Sequence, residues 1–236
     1  MKSVTVITPS IGNDYLKNAI LSVNTQSYRM IKHLVVVDGA QYEGKVREIM
    51  RDCDGPDNLM VLTLPFNTGH DGYYGHKIYA GISLLVDSDY VFFLDEDNWY
   101  NNIHIETVIL EIERRSLDWA YSLRTLNLPE TNFKMEDNCE SLGRWPAYSG
   151  NSNFVDTNCY GIKREVLQQV CHNWVFGFGG DRNFYKYLSK HTDNFDTTGL
   201  YTVNYRIKPE VESFFLAGNE FAKVHYRNKF PWRKSI

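Results

Sequence analysis

Residues 91–100 read VFFLDEDNWY: four apolar residues followed directly by three acids and an asparagine. A short apolar run of this kind is typical of a strand that is buried on both faces. The carboxylates at its end repel one another and lose hydration, and both effects raise their free energy. The stretch therefore predicts a buried strand that ends at a site where a cation lies among the acids.

Three earlier runs of the same kind, at residues 4–7, 33–37 and 59–64, also predict buried strands. Between the runs, apolar residues recur at the i, i+3, i+4, i+7 spacing of a helix. They are Leu16, Ala19, Ile20 and Val23, then Val46, Ile49, Met50 and Cys53. After the acids, Asn101 or Asn102 is the expected cap of a third helix with Ile105, Val108, Ile109 and Ile112 on its inner face. This alternation predicts an α/β protein with a Rossmann-like, mostly parallel central sheet flanked by helices.

The second half of the chain has a less regular pattern. Residues 119–123 and 159–162 resemble strands, and residues 164–171 and 182–188 resemble helices. The polar stretch 127–152, which is rich in Asn, Glu, Gly and Pro, is expected to be either a binding loop or a floppy one.

Composition limits the range of partners and compartments. The net charge of -4 and the pI near 6.0 do not indicate nucleic-acid binding. The basic stretch 225–234 is interpreted as a solvated terminus, although peripheral membrane association stays possible. We expect a cytoplasmic protein, because no apolar run is long enough to span a bilayer and residues 1–10 do not resemble a signal peptide. The four cysteines lack metal-ligand spacing and are expected to be reduced and mostly buried.

Polar residues follow the predicted strands at the edge where ligands bind in open α/β sheets. Candidate ligand-binding residues there are Thr8, Pro9, Ser10, Asp38, Asn67, Gly69, Asp95, Glu96, Asp97 and Asn98. Asp95 and Asp97 are one residue apart, so in an extended segment they share a face and can hold one hard cation such as Mg²⁺ or Mn²⁺. An EF-hand loop is excluded, since Trp99 and Tyr100 occupy the positions that need an oxygen ligand and a glycine.

Six segments occur in an order that resembles the family-2 glycosyltransferases of the GT-A fold. They are TVITPSIGND, VVVDGA, NTGHDGYYGHKIYAGI, FFLDEDN, VDTNCYGIKREV and GFGGDRNFYKYL, and the resemblance spans roughly residues 3–190. It is closest to the small single-domain members found in bacterial surface-polysaccharide clusters and large DNA viruses. The resemblance implies one domain, residues 1–236, with a nucleotide-binding part at about 1–115 and an acceptor-binding part at about 116–236.

The resemblance also implies roles for single residues. A nucleotide-sugar, with uridine diphosphate as the default nucleotide, would be bound by Thr8, Pro9, Ser10, Asp38, Asn67, Gly69, Lys77, Asp95, Glu96 and Asp156. Mn²⁺ or Mg²⁺ would be held by Asp97, with Asp95 and a C-terminal His225 as further ligands. The segment GHKIYAG departs from the family's usual ARN-x-G wording, which leaves the roles of His76 and Lys77 open.

Asp181 is the candidate general base, because its position matches the acid that the family carries near the end of the domain. A base there would deprotonate a hydroxyl of a glycan or glycoconjugate acceptor and so give inversion at the transferred sugar. The alternative role for Asp181 is a helix N-cap. Trp174, Phe176 and Phe178, just before it, are either a sugar-stacking platform or core residues.

The predicted function is therefore an inverting, metal-dependent glycosyltransferase that moves a sugar from a nucleotide-sugar to an acceptor hydroxyl. A sugar-nucleotide nucleotidyltransferase is an alternative, although the segment after the first strand lacks the Gly-rich basic loop that a triphosphate needs. A non-catalytic carbohydrate-binding protein with a structural ion is the other alternative.

Overall fold

The structure, a computed structural model, describes residues 1–53, 58–150 and 153–234. Within these residues nine strands form one sheet in the order β3-β2-β1-β4-β8-β6-β9-β5, with β7 paired to β6. The strands are β1 Val4–Ser10, β2 Ile31–Val37, β3 Leu59–Thr63, β4 Tyr90–Phe93, β5 Trp99–Tyr100, β6 Trp119–Leu128, β7 Phe133–Glu136, β8 Tyr160–Lys163 and β9 Phe195–Arg206. The helices are α1 Leu16–Asn24, α2 Glu43–Arg51, α3 His76–Ser83, α4 His104–Arg115, α5 Arg164–Val170, α6 Gly180–His191 and α7 Glu212–His225.

The first half of the chain forms the predicted parallel sheet. β1 pairs in parallel with β2 and with β4, and β2 pairs in parallel with β3. β1, β2 and β4 are almost entirely buried, as expected. β3 is not buried on both faces, because it lies at the sheet edge and every residue in it retains some exposure. The carboxyl ends of the four strands consequently lie along one edge of the sheet.

The second half extends the sheet mainly through antiparallel strands. β8 pairs antiparallel with β4 and with β6, and β9 then runs parallel to β6 and antiparallel to β5. The strand predicted at 119–123 continues to Leu128, and all ten of its residues are buried. β9 and α7 were not predicted from the pattern. The α/β fold class is confirmed, and each antiparallel pair in the described sheet includes at least one strand of this half.

The helices cover the sheet with the predicted apolar faces. Ile105, Val108, Ile109 and Ile112 of α4 are buried, as are Leu16, Ala19, Ile20 and Val23 of α1. The cap predicted for α4 is wrong, because the helix begins after Ile103, which makes no side-chain cap. Asn101 is instead used to hold β9: its amide donates to the Tyr201 carbonyl and accepts from Asn204 at 2.8 Å.

The polar stretch 127–152 is a folded segment over residues 133–141, whereas most of residues 144–150 are exposed. β7 lies within it, and residues 137–141 are buried. The Asp137 carboxylate accepts hydrogen bonds from the backbone N–H groups of Cys139 and Glu140 at 3.0 and 2.9 Å. The segment is thus folded around a buried acid. Residues 151 and 152 lie outside the described part.

All four cysteines are free and buried, which confirms the expectation for them. In the described parts of the chain, the helices are all too short or too polar to cross a bilayer.

The packing of β8 between β4 and α4 generates a stability prediction. A Cβ on Gly161 would lie 2.5 Å from Val108 Cγ1 and 2.7 Å from Phe92 Cζ, so Gly161→Ala must displace buried side chains. We expect a loss of about 1–3 kcal/mol, read as a lower melting temperature. Gly44→Ala in α2 is the matched control: its Cβ would meet nothing within 4 Å, and it should stabilise the fold by about 0.4–1 kcal/mol. Equal melting temperatures for the two variants would contradict the close packing of β8.

Candidate active site

A cleft of about 870 Å³ opens at the carboxyl edge of β1, β2 and β4. Eleven of the predicted site residues line it, and they come from six separate segments of the chain. They are Pro9, Ser10, Asp38, Asn67, Gly69, Asp95, Glu96, Asp97, Asn98, Asp156 and Asp181. The parallel strands bring most of these segments together, because ligand-binding loops follow strands at this edge.

Asp95, two residues after the end of β4, is held in place by both of its carboxylate oxygens. Oδ1 accepts from the Tyr79 hydroxyl at 2.7 Å and Oδ2 accepts from the Asn158 amide at 2.9 Å. Its backbone N–H also donates to Asn158 Oδ1 at 2.6 Å. Burial and repulsion from Asp156 raise the pKa of Asp95 despite these bonds. Asp95 thus joins β4 to α3 and to the segment before β8.

Asp97 differs from Asp95, because its carboxylate accepts no hydrogen bond from any other side chain in the described residues. It lies partly exposed on the cleft wall. Burial, followed by repulsion from Asp95 and Glu96, raises its pKa to about 7. A carboxylate in this state is suited to a hard cation, which would relieve the repulsion and supply the missing partner.

The residues present fit a divalent ion that takes only part of its coordination from the protein. Among the described residues, no group of three or more His, Cys, Asp or Glu side chains is placed to hold a metal. Within this part of the chain, Asp97 accepts no hydrogen bond from another side chain and is the more available ligand, whereas each Asp95 oxygen already accepts one hydrogen bond and keeps one lone pair. An ion bound here would need the oxygens of a ligand or water to complete its shell, which is how proteins commonly bind Mg²⁺.

Glu96 binds the backbone of the neighbouring loop rather than facing the cleft with a free carboxylate. It accepts from the Ser10 hydroxyl at 2.5 Å and from the backbone N–H groups of Ile11 and Asn13 at 3.2 and 2.9 Å. These bonds tie the loop after β1 to the loop after β4. Glu96 therefore positions the residues that follow β1.

Asp38, after β2, organises the loop that follows β3. Its two oxygens accept from the backbone N–H groups of Thr68 and Gly69 at 2.6 and 2.9 Å. Gly69 is required there, since a Cβ would lie 2.3 Å from the Tyr74 carbonyl oxygen. The Asn67 side chain, on the same loop, has a buried oxygen without a hydrogen-bond partner in the described structure. It is a polar group available to a ligand.

Asp156 is anchored by a buried guanidinium. Arg124 in β6 donates from Nη1 to Asp156 Oδ2 and from Nε to Asp137 Oδ2, both at 2.7 Å, and all three side chains are nearly inaccessible. The other oxygen of Asp156 accepts from the backbone and side-chain amides of Asn158. Asp156 therefore connects the Arg124 ion pairs to Asn158, which in turn holds Asp95.

Asp181 lies in the first turn of α6 but is not its N-cap. The N-cap is Gly179, whose φ of 84° is left-handed and favours glycine. The Asp181 carboxylate accepts from the Arg182 backbone N–H at 2.8 Å. Burial and repulsion from Asp156 raise its pKa. The helix brings this acid onto the cleft wall because Gly180 packs directly on His76, where a Cβ would lie 2.4 Å from the ring.

Of the three aromatic residues before Asp181, one is a core residue and another is placed as a stacking platform at the cleft. Trp174 is fully buried and stacks on Phe184 with ring centroids 4.0 Å apart, so it is a core residue. The Phe176 carbonyl accepts a hydrogen bond from His76 Nδ1 at 2.7 Å. Phe176 is 50% exposed but does not line the cleft, whereas Phe178 is 87% exposed and lines it, so Phe178 is the one of the three that offers a stacking surface to a ligand in the cleft.

Three predicted site residues do not lie among the described residues that line the cleft. Thr8 is fully buried and hydrogen-bonds to His33 within the sheet at 2.9 Å. Lys77 lies with its ammonium 3.8 Å above the Tyr73 ring. His225, at the end of α7, stacks on Phe221, so its imidazole contacts a helix surface rather than the acids.

The cleft also contains residues that the sequence did not single out. Tyr74 lines it from the segment before α3, and Tyr205 and Lys208 line it from the end of β9. The last two follow the same rule as the predicted residues, since they lie near the carboxyl end of a strand. They were missed because β9 was not predicted.

Comparison with known proteins agrees with the fold. The family model for glycosyl transferase family 2 matches residues 5–200. The structure of residues 1–349 of S. aureus TarS in complex with UDP aligns with a TM-score of 0.62 and 15% identity, over 96% of this chain and 66% of that one. The same protein in complex with UDP-GlcNAc aligns with a TM-score of 0.62 and 14% identity, over 87% of this chain and 59% of that one. A further TarS structure aligns with a TM-score of 0.63 and 16% identity, over 96% of this chain and 40% of that one.

An uncharacterised protein of Haemophilus influenzae is 40% identical over 52 residues, which are 22% of this chain and 35% of that protein. This chain thus covers less than two thirds of the length of the Haemophilus protein and of each of the TarS chains. The family model, in contrast, covers most of this chain. The chain belongs to glycosyltransferase family 2, and the GT-A fold expected from its motifs is confirmed.

The raised pKa of Asp97 predicts a pH-dependent gain in stability for Asp97→Asn. A folded-state pKa of about 7, above the ordinary 3.8, means that ionised Asp97 destabilises the fold, and this cost grows as pH rises toward 7. The amide removes the charge, so the metal-free variant should melt a few degrees higher at about pH 8, and the gain should shrink at about pH 5. Thermal unfolding in chelator at both pH values measures this. A gain that does not change with pH would contradict the raised pKa.

Proposed function

We propose that this chain is an inverting, metal-dependent glycosyltransferase that uses a nucleotide-sugar donor and a hydroxyl acceptor. The observation that carries the proposal is that one cleft holds, besides the hydrogen-bonded Asp95, two further carboxylates with raised pKa: Asp97 in the loop after β4 and Asp181 in α6. Acids with shifted pKa values that lie together in one cleft are typical of functional sites, where one can bind a ligand and another can act as an acid or base. Family membership supports the same reaction class.

A uridine diphosphate sugar is the donor to test first. TarS has been crystallised with UDP and with UDP-GlcNAc, and this chain shares its fold. The donor nucleotide would bind along the ends of β1 and β2, against Pro9 and the loop that Asp38 holds. Each Asp38 oxygen accepts one hydrogen bond from that loop and keeps a lone pair for the base or ribose.

Mn²⁺ or Mg²⁺ would be held by Asp97 together with the donor diphosphate. The Asp97 carboxylate is suited to this role because it accepts no hydrogen bond from another side chain in the described residues. A dication bound there neutralises the negative charge that develops on the leaving diphosphate. Asp95 positions the loop that carries Asp97, through its bonds to Tyr79 and Asn158. The exposed Lys208 at the cleft adds a second positive charge for the same phosphates.

Asp181 would act as the general base. Its carboxylate takes the proton of the acceptor hydroxyl while that oxygen attacks the anomeric carbon and the bond to the diphosphate breaks. The sugar is thereby transferred with inversion. Burial and the charge of Asp156 raise the pKa of Asp181, which makes it a stronger base than a solvated aspartate. Phe178 and Tyr74, which are 87% and 59% exposed, provide rings on which an acceptor sugar can stack.

A panel of nucleotide-sugars incubated with the protein and Mn²⁺ tests the proposal. Release of nucleoside diphosphate, with or without transfer to an added glycan, is the expected result. Release of pyrophosphate from nucleoside triphosphate and sugar phosphate would instead support a nucleotidyltransferase. Binding without turnover across the panel would support a non-catalytic carbohydrate-binding protein.

Asp97→Asn should weaken Mn²⁺-dependent binding of the nucleotide-sugar at least tenfold, because it replaces the available anionic ligand with a neutral amide. Calorimetry with and without Mn²⁺ measures this. Asp52→Asn, at an exposed position after α2, is the matched control and should bind normally. An unchanged Mn²⁺-dependent affinity in Asp97→Asn would remove Asp97 from the metal site.

Asp181→Asn should separate donor binding from turnover. The amide keeps the shape of the side chain and can still accept from the Arg182 backbone N–H, but it cannot take a proton. We expect donor affinity and melting temperature to be retained while acceptor-dependent turnover falls by about a hundredfold or more. In the parent protein, kcat/KM should rise with pH across the acid range, since the base must be ionised. Near-normal turnover would exclude Asp181 and direct attention to Asp156.

A further inference from the structure

The exposed side of α7 carries a stripe of apolar residues. Phe214, Phe221 and Val224 are 37%, 51% and 79% exposed, and Ala217 is also exposed. The opposite side of the helix, with Phe215, Gly218, Asn219 and Ala222, is buried against the body of the protein. We call Phe214, Ala217, Phe221 and Val224 the α7 stripe. It is a contiguous apolar surface of the kind that marks an interaction site.

The spacing of the stripe is that of a two-stranded coiled coil. The intervals from Phe214 to Ala217, Phe221 and Val224 are three, four and three residues, which repeats the a and d positions of a heptad. Residues at this spacing form a narrow seam along one helix face. A narrow seam is suited to a second helix lying nearly along α7, with side chains of each helix entering gaps on the other.

Two aromatic rings, those of Tyr148 and His225, also pack against the phenylalanines of the stripe. The Tyr148 ring packs against Phe214 and Phe221 at centroid distances of 5.5 and 5.4 Å. His225 stacks on Phe221 at 5.4 Å with an interplanar angle of 16°. The central phenylalanine is therefore held between two rings while half of its surface remains exposed. A preorganised aromatic side chain of this kind loses little conformational entropy when it is buried by a partner.

Charge at the two ends of the stripe has opposite sign. Glu210 lies in the 3₁₀ turn Pro209–Val211, four residues before Phe214, and Arg227 and Lys229 follow the end of the helix. All three are exposed, and none forms an ion pair with another described residue. A partner that covers the whole stripe must therefore be basic at one end and acidic at the other.

We propose that the partner is a second copy of this chain, with the two α7 helices antiparallel about a two-fold axis. The axis would pass between Ala217 and Phe221, so that each Phe221 packs on the small Ala217 of the other copy and each Phe214 meets Val224. A two-fold contact of this kind uses the same patch on both copies. The stripe is complementary to itself in this arrangement.

The charges favour the antiparallel direction. Each Glu210 then approaches Arg227 and Lys229 of the other copy, whereas parallel helices would place like charges together at both ends. An anionic membrane surface is a poorer match, because it would attract the basic end and repel Glu210. A contact made by one helix from each copy is small, so we expect a dissociation constant on the order of micromolar.

Sedimentation velocity of the full chain over a range from low to several hundred micromolar tests the proposal. The expected result is a concentration-dependent shift from the monomer mass of 27.5 kDa to twice that mass. Phe221→Asp should abolish the shift without unfolding the protein, since Phe221 is 51% exposed. Leu110→Asp is the matched control: Leu110 is 61% exposed on α4, outside the stripe, and the variant should dimerise normally.

Charge reversal tests the direction of the helices. Glu210→Arg and Arg227→Glu should each weaken the dimer at low salt by about tenfold, and the double variant should recover most of the loss because both reversed charges face each other again. No recovery would overturn the antiparallel arrangement.

A chain that stays monomeric at every concentration, or a dimer unaffected by Phe221→Asp, would overturn the proposal. A parallel flotation assay uses vesicles of phosphatidylcholine with a quarter phosphatidylglycerol. Binding that depends on Phe221 by a chain that remains monomeric in solution would show that a lipid surface, not a second copy, covers the stripe. Neither assay depends on enzymatic activity, so the result is independent of the proposed function.

Discussion

The buried guanidinium of Arg124, held between Asp137 and Asp156, is the interaction on which the site depends. A charge removed from water is tolerated only when opposite charges and hydrogen bonds surround it, and removal of one member of such a group costs about 3–5 kcal/mol. Arg124 lies in β6, at the centre of the antiparallel half of the sheet. Its partners lie at the two ends of the connection between β7 and β8. One side chain thus joins the long polar connection between β7 and β8 to the core.

The hydrogen bonds continue from this ion pair to the acids of the cleft. Asp156 holds Asn158, Asn158 holds Asp95, and Asp95 accepts from Tyr79 in α3. Carboxylates in one cleft therefore fall into two groups. Asp38, Asp95 and Asp156 accept hydrogen bonds at both oxygens and thereby fix the positions of loops and strands, whereas Asp97 accepts none from another side chain in the described structure. All of these residues are aspartates. They differ in the number of hydrogen bonds that each carboxylate accepts within the protein.

The parallel half of the fold was predictable because its signals are local. Each strand there is a short apolar run, each helix has its own periodic face, and the order alone implies parallel pairing. The antiparallel half was less predictable, because β6 and β9 mix polar and apolar residues although most of their residues are buried. Thr197, Thr202 and Asn204 of β9 are buried polar residues whose burial depends on partners far along the chain. α7 was missed as well, since its exposed face is also apolar.

The sequence by itself determined the family, the α/β order and the edge of the sheet where the ligand site lies, since these follow from apolar runs and from the polar residues directly after them. Only the tertiary structure decided which acids are free. Hydrogen bonds between segments far apart in the chain engage both oxygens of Asp95 and leave Asp97 open. The same contacts place Asp181 beside the cleft through the packing of Gly180 on His76, and place His225 on the surface of α7. Such contacts depend on which segments meet in space, and no local pattern of residues records them.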